Sequence, residues 1–183
     1  MLDAAETLFY ERGITGTGVD AVLKQAGVST ATLYAHFGGK DDLVAAYLRR
    51  RIARWRQLWQ EAVDAAPTPE AKLLAVFDAL AAFRADQPPG RGCAVLAAAV
   101  ELPGPGHPAL DVVASDTEHL RERLQALAGD LPVADPVELA EEILLVYDGT
   151  LSAFLRGPVG DPVARGRALA AVLVRRRRGR RRP

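Results

Sequence analysis

The sequence predicts an all-α protein of about nine helices, and two observations support this fold class. Alanine and leucine dominate its hydrophobic residues, whereas β-branched residues are thinly spread, which favours helix over strand. Segments rich in proline and glycine divide the chain into apolar stretches with helical spacing. We therefore expect helices at about residues 2–12, 18–26, 30–37, 40–65, 70–86, 93–101, 109–128, 137–156 and 163–174.

The charges are distributed unevenly, although the formal net charge of the 183 residues is zero. Residues 1–56 carry a net charge of +2, residues 57–174 carry −9, and residues 175–183 carry +7 with seven arginines. A polyanion would therefore meet the ends of the chain rather than its acidic middle.

Several functional classes are excluded by what the sequence lacks. Cys93 is the only cysteine, so neither an internal disulfide framework nor a multi-cysteine metal site is expected. No apolar run is long enough to span a bilayer, and no secretory signal opens the chain. We expect a cytoplasmic protein without membrane attachment, metal or cofactor.

Residues 22–34 have the layout of a helix-turn-helix. A short helix ends at Gly27, which can take positive φ at a tight corner, and Ser29 can cap the helix that follows. Leu33 faces inward by its spacing. Such a second helix fits the major groove of DNA, where its N-terminal residues meet base edges. The residues left near its outer face are Thr30, Ala31, Tyr34 and His36.

One further signal precedes this motif. Residues 17–20 show the threonine-x-x-acid pattern of a helix start, so Thr17 is predicted to cap the helix that follows it.

Five short motifs follow one another along residues 2–48: Ala-x-x-Leu-Phe at 5–9, Gly-Ile-Thr-Gly-Thr at 13–17, Ala-Gly-Val-Ser at 26–29, Thr-Leu-Tyr-Ala-His-Phe at 32–37 and Lys-Asp-Asp-Leu at 40–43. In this order and spacing, they resemble the tetracycline-repressor (TetR) family of transcriptional regulators. The resemblance implies that Thr30, Ala31 and Thr32 face the major groove. It also implies phosphate or nearby contacts for Tyr34, His36, Lys40 and Thr17, each of which could instead be an ordinary surface or packing residue.

The resemblance continues more loosely into the C-terminal part. It implies a helix-turn-helix domain at 1–46, a ligand-binding and dimerisation domain at 47–174, and a basic tail at 175–183 that we expect to be disordered. Residues 91–102 resemble the family's Gly-Cys…Ala…Glu segment. The helix at 137–156 has too many apolar positions for one core-facing stripe, which indicates a partner. In the family, helices such as 137–156 and 163–174 form a homodimer.

A ligand pocket is expected among the middle helices. Its candidate residues are Trp55, Trp59, Phe77, Phe83, Cys93, His119 and Tyr147, although aromatic residues at helical spacing are more often core. Cys93 and His119 could in principle form a nucleophile–base pair or a metal site. Since neither has a recognisable flanking signature, a buried, inert cysteine is preferred.

These features predict a ligand-responsive transcriptional regulator, not an enzyme. We expect a repressor that binds a palindromic double-stranded DNA operator as a dimer and is released by a small-molecule effector. One alternative is an architectural DNA-binding protein that uses the N-terminal motif and the arginine tail without a sensor. The other is an enzyme built around Cys93 and His119.

Overall fold

The computed structural model describes residues 1–85, 92–104, 106–157 and 159–179, which form nine α-helices and no strand. This confirms the predicted all-α fold class. None of these helices is long and apolar enough to cross a membrane. The helices are α1 Leu2–Arg12, α2 Val19–Ala26, α3 Thr30–His36, α4 Lys40–Ala65, α5 Pro69–Ala85, α6 Ala94–Glu101, α7 Pro108–Gly129, α8 Pro136–Arg156 and α9 Pro162–Arg178.

Helix α9 is longer than the sequence predicted. It continues through Arg178, so the first four residues of the predicted disordered tail are helical. Arginines suit the C-terminal end of a helix, where the backbone dipole is negative. The side chain of Arg177 also binds Glu138 and Glu142 of α8, while Arg178 Nη1 lies 2.8 Å from Glu70 Oε2 of α5. Residues 180–183 of the predicted tail lie outside the described residues.

The chain divides into two compact units. The first unit comprises Met1–Ala53 and Arg91–Asp116, and the second comprises Arg54–Gly90 and Thr117–Pro183. Helices α4 and α7 therefore each contribute residues to both units. The first unit includes α6, which lies far from the N-terminal helices in sequence. The functional boundary that the sequence analysis put at residues 46–47 stays a prediction.

The core of the first unit is built mainly from α1 to α4. Its fully buried side chains include Leu8, Val22, Leu33 and Leu43, one from each of these helices. Helix α6 adds the small residues Ala94 and Ala98 to the same core. Small side chains allow α6 to lie close against the N-terminal helices, and this packing makes α6 part of the unit that carries the helix-turn-helix.

In the second unit, α8 and α9 approach each other closely at Gly166. A Cβ atom at Gly166 would lie 2.1 Å from Thr150 Oγ1 and 3.1 Å from Phe77 Cε1. The Thr150 hydroxyl is fixed because it donates to the Val146 carbonyl oxygen at 2.8 Å. Only glycine fits at this crossing, even though glycine is a poor residue for a helix interior.

We predict that Gly166→Ala destabilises the protein by about 1–3 kcal/mol, the usual cost of overpacking a well-packed core. The free energy of unfolding in urea measures the effect. Gly129→Ala is the matched control, since a Cβ at that exposed helix end meets nothing within 4 Å. Equal stability of the two variants would show that α8 and α9 can separate without cost.

Candidate nucleic-acid interface

The turn between α2 and α3 fixes the direction in which α3 leaves α2. Gly27 has φ of 65°, a left-handed conformation that favours glycine, and its N–H donates to the Lys24 carbonyl oxygen. Ser29 Oγ then accepts the N–H of Thr32 at 3.2 Å and caps α3. The predicted glycine corner and serine cap are therefore both present.

Helix α3 is anchored on one side and exposed on the other. Leu33 is fully buried in the core of the first unit. Thr30, Ala31 and Tyr34 are exposed, and their spacing puts them on one face of the helix. Tyr34 keeps 64% of its surface accessible, which is unusual for so large a ring. The arrangement presents a short polar and aromatic surface on a rigid support.

Two other residues predicted to contact DNA, Thr32 and His36, do not share this exposed face. Thr32 is half-buried, and its hydroxyl lies 3.0 Å from Ser29 Oγ, so it contributes to the cap of α3. His36 is exposed at the last residue of α3, six positions after Thr30 and therefore off the face that Thr30 and Tyr34 share.

Lys40 is the first residue of α4, where the unpaired backbone N–H groups favour an anion. The two carboxylates that follow it are engaged by neighbours. Asp42 Oδ2 accepts the Gly38 N–H at 2.8 Å, and Asp41 Oδ1 lies 3.3 Å from His107 Nε2. His107 Nδ1 accepts a backbone N–H from α7, which leaves Nε2 as the donor toward Asp41.

The prediction that Thr17 caps α2 is wrong. The N-cap residue is Gly18, and no side chain caps this helix. Thr17 is 1% exposed, and its hydroxyl lies 2.7 Å from the Gly13 carbonyl oxygen and 3.2 Å from that of Leu8. Since its hydroxyl is turned toward α1, Thr17 has no surface for a phosphate and holds the α1–α2 connection instead.

Glu101 holds the other side of the same connection, a role that sequence reasoning missed. Its Oε2 accepts the backbone N–H groups of Ile14 at 2.6 Å and Thr15 at 3.1 Å. The Thr15 hydroxyl in turn donates to the Glu101 carbonyl oxygen at 3.2 Å. One signal was available: a carboxylate at the last residue of a helix opposes the helix dipole, so another interaction must favour it there.

We predict that Glu101→Ala destabilises the protein by about 1–3 kcal/mol, because it leaves the Ile14 and Thr15 N–H groups without their acceptor. The free energy of unfolding in urea and hydrogen exchange at these two amides measure the effect. Glu11→Ala, which removes an exposed acid from α1, is the control. Unchanged exchange at both amides would contradict the assigned role.

The second unit brings together six of the seven residues predicted to line a ligand pocket. Trp55 and Trp59 are stacked with ring centroids 6.0 Å apart, and Trp55 also contacts Phe83 at 5.8 Å and Tyr147 at 5.9 Å. Phe77 meets Tyr147 at 6.3 Å, and His119 meets the Trp59 ring at 6.5 Å. We call these six residues the ring cluster.

Cys93, the seventh residue, belongs to the first unit and is not part of the ring cluster. With Phe9, Tyr10 and Tyr47 among others, it lines a small void of about 20 Å³, roughly the space of one water molecule. Burial raises the pKa of the Cys93 thiol, which disfavours the reactive thiolate. No group of metal-ligating side chains occurs in the described part of the chain.

Comparison with known proteins agrees with this geometry. The family model for bacterial regulatory proteins of the tetR family matches residues 1–47. A TetR transcriptional regulator from Streptomyces avermitilis is 31% identical, with 96% of this chain and 94% of that chain covered and a TM-score of 0.79. A TetR-family regulator from Streptomyces coelicolor is 28% identical, with 97% and 93% covered and a TM-score of 0.87. The transcriptional repressor KstR2 of Rhodococcus jostii is 31% identical over 84 residues, 44% of this chain and 41% of that protein.

The fold and the exposed α3 thus define a helix-turn-helix DNA-binding transcriptional regulator. The chain belongs to the TetR family. Members of this family are regulators and not enzymes, which confirms the predicted class and argues against an enzyme around Cys93 and His119.

Proposed function

We propose that this protein is a dimeric repressor that binds a palindromic operator and leaves it when a small-molecule effector binds. The observation that carries the proposal is the outward face of α3, held rigidly by Leu33, Gly27 and Ser29. On this proposal, the protein acts in the cytoplasm, and its partner is double-stranded operator DNA. KstR2, a repressor by name, is similar to this chain over 84 residues and supports the repressor role.

On this proposal, the α3 segment of Thr30, Ala31 and Thr32 faces the major groove, and Thr30 and Ala31 meet base edges there. Tyr34 and His36 contact the backbone or an adjacent base, and Lys40 holds a phosphate together with the N-terminus of α4. The exposed hydroxyl of Thr30 can hydrogen-bond a base, and the methyl group of Ala31 can touch a thymine methyl. Thr32 supports this surface through the cap of α3, where its hydroxyl lies 3.0 Å from Ser29 Oγ. Thr17 is left out of the proposed DNA contacts because it is buried.

We predict that loss of the base contact of Thr30 weakens binding only to the preferred DNA sequence, whereas loss of the phosphate contact of Lys40 weakens binding to any sequence. Selection from a random duplex library supplies the preferred DNA. Thr30→Ala should weaken binding to that DNA by about 1–3 kcal/mol while leaving binding to random DNA unchanged. Lys40→Gln should weaken both equally and lower the slope of log affinity against log salt by about one.

The control for both changes is Gln57→Ala, an exposed residue of α4 in the second unit. The proposed interface is refuted if Thr30→Ala and Lys40→Gln both bind the selected duplex as tightly as the parent protein does.

The dimer is proposed to form through α8 and α9. Both helices keep large apolar side chains on the surface in addition to those buried within the second unit. Leu145 is the most exposed of these on α8, at 73%. So much apolar surface on paired neighbouring helices is typical of an interface between copies. The set comprises Val137, Leu145, Leu155, Leu169 and Val172.

We predict that Leu145→Glu converts the dimer into a monomer, since a buried, unpaired carboxylate opposes association. Light scattering after size exclusion measures the mass. Val100→Glu is the matched control, because Val100 is 87% exposed but lies on α6, outside the proposed interface. A dimer that survives Leu145→Glu and dissociates with Val100→Glu would place the interface elsewhere.

We propose that effector binding and operator binding oppose each other through α4. This one helix begins with Lys40, the proposed phosphate contact, and later carries Trp55 and Trp59 of the ring cluster. A ligand that rearranges the rings therefore acts on the same helix that carries the DNA contact. Linkage requires the antagonism to be reciprocal, so the operator must weaken effector binding by the same factor.

The architectural alternative is not supported by the arginines of α9. Arg177 and Arg178, which that alternative would use on DNA, are paired with glutamates of α5 and α8. We therefore assign sequence recognition to α3 and leave no DNA role to these two side chains.

A further inference from the structure

The indole N–H of Trp59 lies inside the ring cluster without a hydrogen-bond partner. Trp59 is 1% exposed, and its Nε1 has no acceptor among the residues the structure describes. An unsatisfied buried donor is costly, and tryptophans in protein interiors usually find a partner. The second unit therefore keeps a buried hydrogen-bond donor on the same residue that stacks on Trp55 and meets His119.

Guanidinium groups lie over two rings of the ring cluster and over one further ring of the second unit. The Cζ atom of Arg123 lies 5.7 Å from the Trp59 ring centroid, and that of Arg54 lies 5.9 Å from the Phe83 centroid. Arg84 covers Phe154 of the same unit at 3.9 Å. A guanidinium in this position uses its π-face on the ring and keeps N–H donors at its edge. One edge donor of Arg123 binds the Gln60 side-chain oxygen.

These contacts determine which ligand charge the site favours. Two ring faces of the cluster, those of Trp59 and Phe83, already carry the protein's own cations. A second cation would be repelled by Arg123 and would offer nothing to the Trp59 N–H. An anionic oxygen, by contrast, can accept from Trp59 Nε1 and interact favourably with the guanidinium of Arg123.

We propose that the effector is a flat, apolar or aromatic molecule that carries one carboxylate. Its ring takes a place among Trp55, Phe83 and Tyr147, and one carboxylate oxygen accepts the Trp59 N–H beside Arg123. This inference rests on the proposed function, because it treats the ring cluster as the effector site, and it adds the chemical class of the effector.

The test uses three probes that share one ring and differ in charge: phenylacetate, 2-phenylacetamide and phenethylamine. Trp55 and Trp59 are the only tryptophans of the chain, and both belong to the ring cluster, so intrinsic fluorescence of the full-length protein reports binding there. We expect phenylacetate to bind at least tenfold more tightly than phenethylamine, with the neutral amide between them.

Two substitutions separate the donor from the charge. Trp59→Phe keeps a ring but removes the N–H, and should weaken phenylacetate about tenfold, the loss expected for one buried hydrogen bond. Trp55→Phe is the matched control and should weaken the anion and the amide equally. Arg123→Met keeps an apolar stem and should abolish the preference for phenylacetate over the amide. Helical circular dichroism verifies that each variant is folded.

The proposal is overturned if phenethylamine binds as tightly as phenylacetate, if none of the probes binds at millimolar concentration, or if Trp59→Phe and Arg123→Met leave the order of affinities unchanged. Binding of the selected operator, measured by anisotropy of labelled DNA without any probe, tests the repressor function separately. A protein that binds its operator but ignores phenylacetate would refute only the effector class. A protein that binds phenylacetate but no operator would refute only the DNA role.

Discussion

The burial of Leu33 is the interaction on which DNA reading by this protein depends. Helix α3 has seven residues, which is too short to be stable alone, because an isolated helix of this length cannot offset its nucleation cost. Its stability must come from tertiary packing, and Leu33 supplies the fully buried contact. Truncation of such a leucine typically costs about 2–5 kcal/mol, enough to release the whole recognition surface.

The backbone on either side of α3 is restrained as well. Gly27 sets the turn that precedes the helix, and the Gly38 N–H binds the Asp42 carboxylate after it. The α1–α2 connection is fixed in the same way by Thr17 from one side and Glu101 from the other. Each restraint satisfies a backbone polar group that a short connection would otherwise leave unpaired. The exposed face of α3 takes no part in core packing. Its residues are therefore available for the proposed DNA contacts.

Sequence patterns predicted the elements better than the contacts between them. The bounds of α4 follow from Lys40-Asp41-Asp42 at one end and Pro67 at the other, because capping and proline effects are local. The α2–α3 turn follows from Gly27 and Ser29 for the same reason. Both predictions are confirmed.

The errors arose where a side chain has a partner that the local sequence pattern does not include. Thr17 matches a capping pattern, but its hydroxyl lies against the carbonyl oxygens of Leu8 in α1 and of Gly13 directly after α1. The arginines at the end of α9 looked like a tail because their partners, Glu70, Glu138 and Glu142, lie more than thirty positions away in sequence. Cys93 was expected in the pocket because it opens one of the middle helices in the sequence, yet that helix packs into the first unit.

The proposed antagonism between effector and operator depends on the length of α4. Its 26 residues extend for about 39 Å at 1.5 Å per residue. A rigid rod of that length moves its far end by about 3 Å when it tilts by roughly 5°, a displacement comparable to the length of a hydrogen bond. Contacts to base edges have defined lengths and directions, and a dimer must place two recognition helices about 34 Å apart at once. On the proposed function, an effector that shifts Trp55 or Trp59 weakens operator binding through geometry alone, without touching any residue of α3.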